Sequence, residues 1–144
     1  MIDFTEADKP FGLYGGDFNI LTNWITNTIH KEGFELGEID IINCSDNYLL
    51  EVNREHLQHN YFTDVITFDY VVGDIISGDI YISEDRIKDN AIDFGVTGKT
   101  EFLRVIIHGV LHLCGYKDGT ENEKKEMRMK EDYYLKEFND VAEI

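Results

Sequence analysis

The sequence predicts a mixed α/β domain: a small sheet of about four strands, partly parallel, with helices packed against it and one buried helix that carries histidines. Three observations predict it. Strand-like and helix-like periods alternate through the first half of the chain. Two strand-like runs then follow each other between Asp64 and Ile82, which makes the sheet mixed. Finally, Phe102, Val105, Ile106, Ile107, Val110, Leu111 and Leu113 leave hardly any polar face, the mark of a helix inside a core.

The elements follow in order. Ile2 to Phe4 is a short strand, and Gly12, Gly15 and Gly16 mark a loop. Asp17 caps a helix whose apolar face is Ile20, Leu21, Trp24, Ile25 and Ile29, and Gly33 ends it. Leu36 to Cys44 is a strand; Ser45 and Asp46 cap a helix that runs to about Leu57. His56, Gln58, His59 and Asn60 form a polar loop whose histidines are solvated residues before they are ligands. Asp64 to Val72 is a strand rich in β-formers, and Gly73 turns the chain. Gly78 precedes the next strand, in which Ile80 and Ile82 share one face and Asp79 and Tyr81 the other. Ser83-Glu84-Asp85-Arg86 starts a helix carrying Ile87, Ala91 and Ile92. Thr97 or Thr100 starts the histidine helix. Thr120 to Glu123 has capping-box form, and the last helix carries Met127, Tyr134, Leu135 and Phe138 between charges that form a solvated face.

Size and composition bound the function. A chain of 144 residues makes one domain, 1–144, and 42% hydrophobic residues can build its core. The first residues, Met1 to Asp8, lack a basic region followed by an apolar run, and no stretch is apolar enough to span a bilayer. Cys44 and Cys114 are the two cysteines, which suits reduced thiols in a cytoplasmic protein without a disulfide-linked partner. Cys114 points away from the His108 face and is a small apolar residue. The net charge of −16 opposes non-specific nucleic-acid binding, so an RNA partner would need a local basic patch or a metal's own charge.

The chemistry concentrates in Val105 to Asp118. His108 and His112 are four residues apart, so both imidazoles lie on one helix face about one turn apart. Buried imidazoles need partners, and a shared divalent metal supplies one for both. Gly115 ends the helix where a left-handed residue costs little, and the turn beyond brings Asp118 toward the same point. Two histidines and a carboxylate make a three-ligand zinc site with a position left for water. The peptidase helix motif has a glutamate general base after its first histidine; Gly109 stands there, which argues against an ordinary zinc protease and marks a close approach to the backbone.

The same stretch resembles the signature of the bacterial YbeY family, the metal-dependent endoribonucleases of rRNA maturation, which runs His-Gly-x-Leu-His-Leu-x-Gly-Tyr-Asp-His. His108, Gly109, Leu111, His112, Leu113, Gly115 and Tyr116 match it; Lys117 and Asp118 stand in place of Asp and His. Thr63 to Phe68 resembles the family's Thr-Asp-Val-Leu-Ser-Phe, Gly78 to Ser83 its Gly-Asp-Ile-x-Ile-Ser, and Met127 and Glu131 its Met-x-x-x-Glu. The resemblance implies an α/β fold, one zinc or other divalent ion per chain held by His108, His112 and Asp118, cleavage of single-stranded RNA, and a role in rRNA maturation and ribosome quality control. The family's arginine before the Thr-Asp-Val block falls on Leu57; Arg54, on nearly the same helical face, is the candidate substrate-binding cation in its place. Two rivals stand beside this expectation: a metallohydrolase of a non-RNA substrate, and a ribosome-associated factor whose metal is structural.

Overall fold

The computed structural model describes residues 1–142. The elements are β1 (Ile2–Glu6), α1 (Phe18–Lys31), β2 (Glu35–Cys44), α2 (Asp46–Leu57), β3 (Val65–Asp69), β4 (Ile75–Ser83), α3 (Glu84–Phe94), α4 (Gly98–Leu113) and α5 (Glu121–Ala142). The strands form one sheet in the order β1-β2-β4-β3. β1 and β4 both run parallel to β2, and β3 runs antiparallel to β4. The expected mixed α/β architecture is therefore present.

Helix starts follow side-chain chemistry. Asp17, Ser45, Ser83 and Thr97 each accept a backbone N–H from the first turn of the helix they precede. Thr97, rather than Thr100, is the cap of the histidine helix. Thr120 and Glu123 exchange backbone and side-chain hydrogen bonds at 2.9 and 3.1 Å, the reciprocal box expected before α5.

Some boundaries differ from expectation. The continuous strand β3 stops at Asp69, whose carboxylate takes the Val71 N–H at 2.8 Å, but the pairing with β4 goes on in register: the Tyr70 N–H reaches the Ser77 carbonyl at 3.0 Å and Val72 bridges Ile75, so the expected run to Val72 remains part of the hairpin. β4 starts at Ile75, so Gly78 lies inside the strand. Ile92 faces solvent at 71% exposure, and the inner side of α3 rests on Ile87 and Ala91 instead.

The two sheet faces are unequal. α1, α4 and α5 cover one, over Ile39, Ile41, Ile76, Ile80 and Ile82. α2 covers part of the other, over Cys44, Leu49, Val52 and Ile66. α4 is the central helix of the thick side, and its apolar residues from Phe102 to Leu113 are buried. It lies close to β3 and β4 because residue 109 is glycine: a Cβ there would come within 3.0 Å of Ile80 Cγ2 and 3.3 Å of Thr67 Cγ2. The close approach expected at Gly109 is an approach to the sheet.

Candidate metal centre

The site begins with the end of α4. Cys114 closes the last turn, and Gly115 follows at φ +104°, a conformation that favours glycine. The Gly115 N–H reaches the His112 carbonyl and the Tyr116 N–H reaches the Leu111 carbonyl, a double closure that reverses the chain. The reversal carries Asp118 back over the helix face that presents His108 and His112.

One carboxylate oxygen meets both rings. Asp118 Oδ2 lies 3.3 Å from His108 Nε2 and 3.3 Å from His112 Nε2. The two rings are nearly perpendicular, at 87°, with centroids 4.5 Å apart. One donor atom from each of the three residues falls within 4.8 Å of the others, the one such cluster among the described residues. Ligands about 2.0–2.1 Å from a tetrahedral zinc stand about 3.3 Å from one another, the separation seen here.

The other ring nitrogens explain why these three atoms converge. His108 Nδ1 is 2.7 Å from Glu131 Oε2, and His112 Nδ1 is 2.9 Å from the Tyr116 carbonyl oxygen. Both neighbours are acceptors, so each Nδ1 carries a proton and donates it. With its proton on Nδ1, each imidazole can turn an Nε2 lone pair to the same space as the Asp118 carboxylate. Three acceptors so placed repel unless a cation lies among them, so the donor set fits a divalent ion. The Glu131–His108 and carbonyl–His112 bonds are the outer contacts that orient metal-ligating histidines.

Glu131 anchors this arrangement from α5. It is 5% exposed, and its second oxygen accepts from Arg104 Nη1 at 2.8 Å; Arg104 Nη2 donates to Asp132 at 2.7 Å. Burial pushes the Glu131 carboxyl up, but His108 and Arg104 outweigh it and hold the group below the usual range. Burial lowers His108, and Glu131, Asp118 and Asp64 reverse that and raise it above its ordinary value. The solvated face expected for the charges of α5 therefore fails at Glu131, because α5 turns that residue inward against α4.

Beside His108 and Asp118 opens a cleft of about 340 Å3, lined also by Asp64, Glu101, Arg104, Lys124 and Arg128. Three cations and four carboxylates, Asp118 and Glu131 among them, thus line one opening in a chain of net charge −16, a more balanced setting than the surface as a whole. Burial pushes the carboxyls of Asp64 and Glu101 up. Asp64 accepts from Asn90 Nδ2 at 3.2 Å. Apart from His108 and Asp118, none of the cleft residues stood out as a site residue in the sequence, although Asp64, Val65, Met127 and Glu131 fell within quoted motifs.

The remaining expected residues lie elsewhere. Arg54 donates to Glu51 and to Asn60, each at 2.6 Å, on the exposed side of α2, outside the lining of the metal cleft. Leu57 lines a second cleft of about 210 Å3 with His59 and Tyr61. His56 meets the ring of Phe68 edge-on, with centroids 5.7 Å apart. Cys114 lines a separate cleft with Glu32 and Tyr116, and partial burial pushes its thiol up to about 12. Cys44 and Cys114 are both free thiols.

Comparison with known proteins places this site in a family. The family profile for Endoribonuclease YbeY matches residues 17–139. An Endoribonuclease YbeY of Flavobacterium psychrophilum is 53% identical over 117 residues, 81% of this chain and 84% of that protein. One of Bacteroides thetaiotaomicron is 52% identical over 114 residues, 79% and 83% of the two chains. A Thermotoga maritima protein solved in solution superposes with a TM-score of 0.64 at 28% identity, covering 96% of this chain and 89% of that one. With the profile spanning the helices and strands that build the histidine–aspartate cluster, the chain belongs to the YbeY endoribonuclease family.

Proposed function

We propose that this chain is a metal-dependent endoribonuclease that cleaves single-stranded RNA, and that its substrate is ribosomal RNA during maturation and quality control in the cytoplasm. The observation that carries the proposal is the convergence of His108, His112 and Asp118 beside a cleft holding Arg104, Lys124 and Arg128. Family membership supports an RNA substrate. Among the described residues no helix is long and apolar enough to cross a membrane.

Zinc, one ion per chain, is the proposed metal; it would be held by His108, His112 and Asp118 and would supply Lewis acidity toward a phosphoryl oxygen and a more acidic water. The chain's own groups do the rest. Glu131 and the Tyr116 carbonyl fix the tautomer and aim of the two imidazoles. Lys124 and Arg128 draw phosphates toward the opening, where the acidic remainder of the surface repels them. Asp64, which accepts from Asn90, lines the same cleft beside His108, and we assign it the role of holding the proton that the leaving oxygen needs.

Metal analysis and cleavage assays on one untagged preparation test this. The expected result is about one divalent ion per chain, cleavage of single-stranded RNA before duplex RNA, and loss of cleavage in chelator with recovery on re-addition. Hydrolysis of peptides or esters with RNA left intact would favour a different metallohydrolase. A tightly held metal whose removal unfolds the chain, with no RNA cleavage, would favour a structural site. Unprocessed rRNA ends in cells lacking the protein would place the substrate in the ribosome.

A further inference from the structure

The loop between α2 and β3 holds two aromatic rings that the fold itself does not use. His59 and Tyr61 stack at a centroid distance of 5.2 Å and an interplanar angle of 20°, and Tyr61 Oη lies 3.0 Å from His59 Nδ1. Neither ring belongs to either hydrophobic cluster of the core, and Tyr61 is 56% exposed. The loop is nonetheless pinned. Asn53, 1% exposed, donates its side-chain amide to the Tyr61 carbonyl at 2.9 Å, and its own carbonyl accepts the His59 N–H at 3.1 Å. Gln58 adopts φ +56° to make the turn, the one non-glycine residue with positive φ among those described. A buried asparagine and a left-handed residue thus fix an aromatic pair that gains little from burial.

This pair lines the cleft of about 210 Å3, whose wall at Val65 is also a wall of the metal cleft. The two openings therefore adjoin at the start of β3. Their electrostatics differ. On the loop side Arg54 is engaged by Glu51 and Asn60, so the loop offers phosphates no free guanidinium. On the other side Lys124 and Arg128 keep only loose pairings, each 3.8 Å from a carboxylate of Glu121 or Glu131, with their side chains largely exposed at the metal cleft. Phosphate attraction belongs to the α5 side; a neutral aromatic surface belongs to the loop side.

We propose that the His59–Tyr61 pair is a stacking subsite for an unpaired nucleobase of the RNA whose backbone lies at the metal cleft. The proposal rests on the endoribonuclease reading and adds a base-binding position to it. Stacking suits an acidic chain because a neutral ring contacts the face of any base without needing counterion release. It also favours single strands, since a base inside a duplex has no free face to offer.

Fluorescence anisotropy with a short labelled single-stranded RNA, its intactness checked on a gel, tests the subsite over a range of salt. Tyr61→Ala should weaken binding about tenfold without changing the slope of affinity against salt. Tyr61→Phe, which keeps the ring, should stay within about twofold. Arg128→Ala should instead reduce the salt slope by about one. An abasic position walked along the RNA should at one place weaken wild type to the level of Tyr61→Ala and leave Tyr61→Ala unchanged. Undiminished affinity in Tyr61→Ala, or a loss in that variant that disappears at high salt, would overturn the stacking subsite while leaving RNA cleavage intact. A wild-type protein that neither binds nor cleaves single-stranded RNA would instead remove the endoribonuclease reading, and the subsite with it.

Discussion

Replacing Glu131 by glutamine separates the metal's outer contact from the packing around it. Gln keeps the shape of the side chain and removes its charge. In the native protein one carboxylate accepts two buried donors, His108 Nδ1 at 2.7 Å and Arg104 Nη1 at 2.8 Å. A glutamine has one oxygen for the pair, so one donor meets an NH2 group instead. Loss of such an outer partner weakens metal binding by about 10–100-fold, or roughly 1.4–2.8 kcal/mol. The unmatched donor costs roughly 1–3 kcal/mol of fold stability in addition. Arg104 keeps Asp132 at 2.7 Å, which places the loss in the lower half of that range. For a chain of this size each kcal/mol moves Tm by about 4 °C. Chelator-competition titration reads the first effect, and thermal denaturation in excess chelator reads the second without the metal's contribution. A Glu131→Gln protein with lowered Tm but metal affinity within about twofold of wild type would show that Glu131 only partners Arg104, and the orientation of His108 would need another cause.

Three further outcomes follow from the same geometry. Asp118→Ala should lose metal affinity while Lys117→Ala keeps it, and Asp118→His should retain a metal and shift the pH profile of cleavage downward, because removing a carboxylate makes the metal's water more acidic; equal affinity in the two alanine variants would exclude Asp118 as a ligand. Asp64→Asn should keep the metal content and slow RNA cleavage by about 10²–10⁴-fold, and an unchanged rate would release Asp64 from the proton-holding role. Glu32 receives hydrogen bonds from Tyr116 at 2.6 Å, Lys130 at 3.2 Å and Tyr134; burial pushes its carboxyl up, but these three donors outweigh it and hold it below the usual range. A depressed folded value means the stability from Glu32 is complete above its unfolded pKa near 4.3 and fades as pH falls through the folded value. Glu32→Gln should therefore cost about 2 kcal/mol at neutral pH and progressively less below about pH 4 in urea titrations, whereas a pH-independent difference would refute the linkage.

The parts of this molecule that were legible are those written within one turn or one strand. The helix caps at Asp17, Ser45, Ser83 and Thr120 are local pairings between a side chain and N–H groups two or three residues on, and each is present. The convergence of His108, His112 and Asp118 is also local, since it needs only the helical repeat and the Gly115 reversal. Asp69 adds a local pairing of the same kind, to the Val71 N–H, which interrupts the regular strand, while the β-forming Tyr70 and Val72 still pair with Ser77 and Ile75 across the hairpin.

The outer half of the site was not legible, for a different reason. Glu131 reaches His108 and Arg104 only because α5 packs against α4, and its position among the charges of α5 gives no sign of which one turns inward. A helical face is defined relative to a neighbour, and the neighbour is a tertiary fact. The charge balance follows the same logic. A net charge of −16 averages over the whole surface, whereas the cleft sets Arg104, Lys124 and Arg128, brought together from α4 and α5, against Asp64, Glu101, Asp118 and Glu131, a nearly balanced set to which a divalent ion would add two positive charges. Beyond a Debye length of about 8 Å in physiological salt, the distant carboxylates are screened and the cleft's own charges decide what enters. Acidic composition and an anionic substrate are therefore compatible here: the overall charge sets how weakly RNA binds away from the cleft, and the three cations, with the charge a bound ion would add, offset the cleft's four carboxylates where the phosphate is held.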